Sequence, residues 1–200
     1  MTIDLPRLRQ AVHGRLLTSD DTGYDEARGL FYGGVDARPA AIVQAGDAQD
    51  VIQVVRLARD SGVELAIRSG GHSVAGHSTT EGGLVLDLRN LKALEIDLDE
   101  GTAWAETGLT ASEFSNAVGA HGMAVGFGDT GSVGLGGITL GGGIGYLARR
   151  HGLTIDSLLA AELVTADGEL LQLDEAHHPD LFWAIRGGGG NFGVVTRFKL

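Results

Sequence analysis

The chain has 200 residues, 43% hydrophobic and 20% charged, a composition that permits one or two folded domains and excludes disorder for most of its length. Its 26 acids against 15 bases give a formal net charge of −11, which argues against a nucleic-acid or anionic-membrane partner. It contains no cysteine, which excludes disulfides, thiol nucleophiles and cysteine-ligated metals.

From the N-terminus, MTIDLPRLRQAVHG carries early charge and lacks the apolar core of a leader, and no apolar run nears the ~18 residues of a membrane span. A cytoplasmic protein is the expectation. Leu5, Leu8, Val12 and Leu16 predict a weakly amphipathic helix over Asp4–Leu17. Thr18–Arg38 is polar and irregular, so residues 1–39 read as a helix and lead-in. Ala40–Gln44 predicts a strand, and Asp47 caps a helix that Gly62 stops. Val63–Arg68 is a second strand, completing one parallel crossover unit.

Leu84–Leu88, Leu94–Asp97 and Ala103–Glu106 read as short strands of an antiparallel or mixed sheet. Thr110 and Glu113 form a capping box opening a helix to about His121. A short helix follows at Tyr146–His151. Leu158–Thr165 and Glu169–Leu173 flank the turn Ala166–Gly168 as a hairpin. Asp180–Arg186 is a helix, and Gly193–Leu200 a final strand. The mixture of crossover and hairpin predicts α+β, with a seam near Leu98–Thr102 dividing lobes of about 40–98 and 102–200.

Glycine is the abnormal number, at 33 residues, and ten of the twenty residues from Gly126 to Gly145 are glycine. Such clusters let backbone take positive φ or approach another group closely. In Arg68-Ser-Gly-Gly-His-Ser73, adjacent glycines at a strand end form an anion nest to which Arg68 or Ser73 could add donors. An ordinary glycine turn is the competing reading. His72 and His77 have poor metal-ligand spacing and no carboxylate partner, so no metal is expected. His72 reads instead as a neutral imidazole nucleophile beside the loop. His177 and His178 read as a polar lead-in to the Pro179 helix.

Two segments match dinucleotide fingerprints, Gly188–Gly193 and Gly143–Ala148. Neither lies between a strand and a helix, so neither carries that motif's mechanism. Glu95, Asp97 and Asp99, at period two, mark a solvated strand face.

Three segments, RSGGHSVAGHS, GDTGSVGLGGITLGGGIGYLARRHGLTID and DLFWAIRGGGGNFGVVTRF, together resemble the flavin-binding half of the berberine-bridge-enzyme-like oxidases. These belong to the vanillyl-alcohol-oxidase superfamily with its PCMH-type FAD domain, and the resemblance runs from about Ala40 to Leu200. It implies two α+β lobes holding FAD between them, without the usual substrate-binding half. It implies that His72 bonds to the flavin 8α-methyl carbon and that Ser69, Gly70, Gly71 and Ser73 hold the diphosphate, with Arg68 and Ser78 nearby. Asp129, Thr130, Ser132, Val133, Gly136 and Gly137 would pass along the isoalloxazine and ribityl chain, as would Thr139, Gly141, Gly142 and Gly145. Leu153 and the Gly193-Val194-Val195 strand would contact the flavin or adenine side.

Thr130 stands where doubly linked relatives carry cysteine, so a single attachment through His72 is expected. The implied partners are a small-molecule substrate and oxygen or another acceptor. The alternative is a non-catalytic flavin-binding fragment or subunit completed by another chain. None of Tyr24, Tyr32 and Tyr146 matches the family's catalytic tyrosine. The terminal strand, left as an unpaired edge, would favour self-association.

Overall fold

A computed structural model describes residues 3–200. The first lobe comprises α1 (Leu5–Ala11), β1 (Arg15–Leu17), α2 (Tyr24–Arg28), β2 (Ala41–Gln44), α3 (Ala48–Ser61), β3 (Leu65–Arg68) and β4 (Leu84–Asp87). Its four-stranded sheet has the order β1-β2-β4-β3. The crossover helix α3 is punctuated as the sequence predicts. The Asp47 carboxylate accepts the Asp50 amide at 3.0 Å, and Gly62 ends the helix at φ +63. Its apolar face, Val51, Val54, Val55 and Ala58, is buried against Val43, Leu84 and Leu86 of the sheet.

Two first-lobe expectations are corrected. β4 lies in a mixed sheet, between β2 and β3 and parallel to both, but apart from the strands at 94–97 and 103–106 with which it was grouped. The residues expected as helix end and irregular lead-in supply an edge strand, β1, antiparallel to β2. The first helix ends at Ala11, where the His13 and Gly14 amides turn to donate to the buried Asp50 carboxylate at 2.7 and 2.8 Å. The lead-in also docks through Tyr24, whose hydroxyl donates to the Pro39 carbonyl at 2.6 Å.

The second lobe holds β5 (Leu94–Asp97), β6 (Thr102–Glu106), α4 (Ala111–Gly119), α5 (Leu135–Leu140), α6 (Ala148–His151), β7 (Ala160–Val164), β8 (Leu170–Leu173), α7 (Pro179–Ile185) and β9 (Val194–Lys199). Its sheet has the order β5-β6-β9-β7-β8. The predicted seam at Leu98–Thr102 is the turn of the β5–β6 hairpin, and the chain changes sheets at 88–93 instead. β9 is also corrected. It is an interior strand between β6 and β7, and Leu200 exchanges main-chain hydrogen bonds with Ala103, so no unpaired terminal edge remains. The capping box of α4 forms as expected, with Glu113 N on Thr110 Oγ1 at 3.2 Å and Thr110 N on Glu113 Oε2 at 2.7 Å.

The lobes are fused. Val164 and Val194 of the second sheet are buried in the core beneath α3. Arg56 of α3 donates to the Gly168 carbonyl at 3.1 Å, and Arg59 pairs with Asp167 at 3.2 Å. No described helix is long and apolar enough to cross a membrane.

Candidate cofactor site

The loop after β3 begins at Arg68, and its side chain corrects the sequence reading. Arg68 is 1% exposed and lies beneath the loop, not facing a ligand. Its Nε donates to the Ser78 carbonyl at 3.0 Å and its Nη1 to the Ala27 carbonyl. Nη1 also lies 3.8 Å from the Asp87 carboxylate. Burial lowers the Arg68 pKa and raises that of Asp87, so desolvation outweighs the pairing for both. Asp87 keeps Arg89 as its closer partner, at 2.7 Å. Ser73, the other proposed donor, accepts the His77 amide at 3.1 Å and caps its own turn.

What the loop offers a ligand is backbone. Gly71 takes φ +71, a conformation that lets successive amides point into one hollow. Among the described residues, the amides of Gly70, Gly71, His72 and Ser73 have no protein acceptor. Donors left free on a loop suit an anion, and no lysine assists: Lys92 pairs with Glu113 and Lys199 with Glu100.

The Gly131–Gly136 segment lies directly against this loop. A Cβ on Gly70 would stand 2.3 Å from Gly134 N, and one on Gly134 would stand 2.1 Å from Ser69 Oγ, so only glycine permits the approach. Thr107, which the sequence analysis did not single out, joins the pieces. Its carbonyl accepts Ser69 Oγ at 2.6 Å and the Gly136 amide at 3.2 Å, while its hydroxyl donates to the Val195 carbonyl at 3.1 Å. Its position after β6, in Glu106-Thr-Gly, was the available signal.

His72 therefore lies where the lobes meet. Its ring stacks on Phe31, with centroids 3.9 Å apart and planes 20° apart, and Tyr32 approaches edge-on. Its Nε2 is 3.2 Å from the Ser132 hydroxyl of the other lobe. Burial lowers the His72 pKa, with a hydrogen bond to the Ser132 backbone opposing, so the neutral imidazole is favoured near pH 7. Phe31 and Tyr32 sit in the stretch read as featureless, and their adjacency among glycines was the missed cue.

The remaining candidates divide. Gly137 is exposed on α5 with no atom within 4 Å of a would-be Cβ, a bare face open to a ligand. Thr139, on the same helix, is fully buried with a hydroxyl lacking any partner, as is the buried hydroxyl of Ser78. Asp129 and Thr130 hydrogen-bond to each other at 3.1 Å. The Val133 carbonyl accepts the Ala111 amide at 2.9 Å, pinning this segment to α4. Gly141 continues α5 through its amide on the Gly137 carbonyl.

Beyond α5, Gly142 and Gly143 accept the Ile155 and Thr154 amides, placing Gly142 beside Leu153. Gly145 presses on Phe127, where a Cβ would lie 1.5 Å from the carbonyl oxygen. The Val194 and Val195 side chains are buried, one in each core, which leaves their backbone and Gly193 to meet a ligand. Gly193 itself, at φ +148, would place a Cβ 2.4 Å from the Val164 carbonyl. Gly188–Gly193 runs from α7 into β9, helix to strand, the reverse of a dinucleotide turn.

Unpartnered loop amides, a histidine at the lobe junction and glycine faces without side chains fit a flavin dinucleotide. Comparison with known proteins agrees. The family described as FAD binding domain matches residues 39–174. The (R)-6-hydroxynicotine oxidase of Paenarthrobacter nicotinovorans is 37% identical over 95% of this chain and 42% of its own length. The structure of 6-hydroxy-D-nicotine oxidase from Arthrobacter nicotinovorans superposes with a TM-score of 0.92 at 38% identity, over 94% of this chain and 42% of that one.

Glucooligosaccharide oxidase from Acremonium strictum, with its 6-S-cysteinyl, 8α-N1-histidyl FAD, gives 0.91 at 33% identity over 96% and 41%. BBE-like 1 of Physcomitrella patens gives 0.93 at 28% over 100% and 44%. The chain thus spans about two fifths of the relatives it matches. It belongs to the FAD-binding domain family of the berberine-bridge-enzyme-like, FAD-linked oxidoreductases.

Proposed function

We propose that this chain is the cofactor-carrying part of an FAD-dependent oxidase, holding one FAD through a single covalent bond to His72. The observation that carries the reading is His72 itself, at the lobe junction with Nε2 3.2 Å from the Ser132 hydroxyl and beside four unpartnered amides. The Gly70–Ser73 amides bind the diphosphate, Thr107 holds the two glycine segments in register, and the Gly137 face seats the flexible chain and ring. FAD supplies two-electron acceptance, taking hydride from a small-molecule substrate and passing the electrons to oxygen or another acceptor. Thr130, in place of cysteine, leaves His72 as the sole attachment point.

The test is acid precipitation of protein and the His72→Ala variant. The wild type carries flavin into the pellet and the variant releases it to the supernatant. A yellow, fluorescent pellet from the variant overturns the assignment.

A further inference from the structure

We propose that Ser132 and Phe31 are positioning residues for His72, fixing its ring so that Nδ1 is the nitrogen that attacks the flavin. This deepens the reading of His72 as the attachment residue and rests on it. An imidazole held by its Cβ retains two freedoms, the tilt of its plane and rotation within that plane. The Phe31 ring, 3.9 Å away and nearly parallel, restricts the tilt. Phe31 is itself tied to the loop, because its amide donates to the Gly71 carbonyl at 3.2 Å. The Ser132 hydroxyl restricts the rotation by engaging Nε2.

These restraints come from separate segments on either side of His72, so neither duplicates the other. With Nε2–H donating to Ser132 Oγ, the lone pair lies on Nδ1, the nitrogen without a protein partner among the described residues. Aromatic packing also withholds water from one ring face, in keeping with the lowered pKa.

Nδ1 bonds to the flavin 8α carbon as a methyl C–H proton is lost, and the displaced electron pair enters the ring system. The imidazole gives up its Nε2 proton past Ser132, which faces solvent. The two-electron-reduced, twice-protonated flavin is then reoxidised by dioxygen, which leaves as hydrogen peroxide.

The chain is produced under riboflavin limitation and incubated with FAD. Covalent flavin is counted after acid precipitation, and the histidyl-flavin isomer is identified in the digested peptide. The wild type gives the Nδ1 isomer. Ser132→Ala slows attachment by about tenfold and yields some Nε2 isomer, Ser132→Thr restores both rate and isomer, and Phe31→Leu slows attachment where Phe31→Trp does not. Both side chains are largely exposed, and thermal melts verify that the variants fold. The 15N shifts of the His72 ring in the flavin-free chain supply a readout independent of attachment: the Nε2–H tautomer in wild type, shifted toward Nδ1–H in Ser132→Ala. An Nδ1–H tautomer in wild type, Nε2 linkage in wild type, or unchanged rate and isomer in Ser132→Ala overturns the inference. Wild-type protein with the expected tautomer that gains no covalent flavin overturns the attachment reading and leaves the positioning of His72 supported.

Discussion

Arg68 and Ser78 close the ends of the His72 loop through one buried hydrogen bond, Arg68 Nε to the Ser78 carbonyl at 3.0 Å. The same guanidinium reaches the Ala27 carbonyl at the end of α2. A residue that looked like a phosphate ligand instead holds three chain segments from beneath.

The first prediction follows from that burial. Arg68→Met removes the clamp and leaves Asp87 with Arg89 alone, at a cost of about 3–5 kcal/mol by analogy with other broken buried pairs. Urea titration reads the loss. Because the loop ends separate, flavin binding falls more than global stability alone explains, which a binding titration well below the unfolding midpoint reveals. Unchanged binding in a destabilised variant counts against the clamp.

Gly70 and Gly137 make opposite predictions from the same substitution. Gly70→Ala drives a Cβ into Gly134 backbone at 2.3 Å and costs about 1–3 kcal/mol or more. Gly137→Ala meets nothing in the flavin-free chain and gains about 0.5–1 kcal/mol of helix propensity. That raises the melting temperature by about 1–4 °C while weakening FAD binding, because the methyl group enters the space kept for the ligand. Improved stability with unaltered FAD affinity places the ligand elsewhere.

The pH dependence of attachment follows from His72. Its pKa is lowered from the usual 6.5 by burial, with no charged contributor. Only the neutral ring has a lone pair to share, so the attachment rate reaches a plateau at higher pH and falls at lower pH as the ring protonates. The inflection lies below 6.5. Stopped-time acid quenching across pH 4.5–8 measures it, and an inflection above 6.5 contradicts the burial argument.

Thr130→Cys tests the geometry of the second glycine segment. Thr130 is half-buried and bonded only to its neighbour Asp129, so the replacement breaks little. A thiol there gives a second flavin bond, and mass spectrometry finds one flavin joining the His72 peptide to the peptide of position 130. Flavin on the His72 peptide alone shows that the segment runs differently from that of doubly linked proteins.

Much of this was readable from local chemistry. Asp47, Gly62, Thr110 and Glu113 carry their capping roles within four residues of sequence, and the Ala166–Gly168 hairpin turn is equally local. The insertion of β4 between β2 and β3 was not readable, because parallel neighbours are chosen by non-local packing. Nor was β1, whose three residues continue the spacing of a helix until Asp50 captures the His13 and Gly14 amides. For the site, the glycine loop stood out, but the side of β3 on which Arg68 falls did not. Alternation supplied the clue, since Arg68 lies two residues after Ala66, and both are buried.

The fusion of the lobes through Val164, Val194, Arg56 and Arg59 bears on how the protein acquires its cofactor. A clamshell could admit a long dinucleotide by swinging apart, but here Val164 and Val194 of the second sheet are buried in the first lobe's core, so swinging would expose that apolar contact. Uptake of the cofactor with the two lobes held together is therefore the expected route, and a cross-link between α3 and the β7–β8 turn should leave the loading rate unchanged.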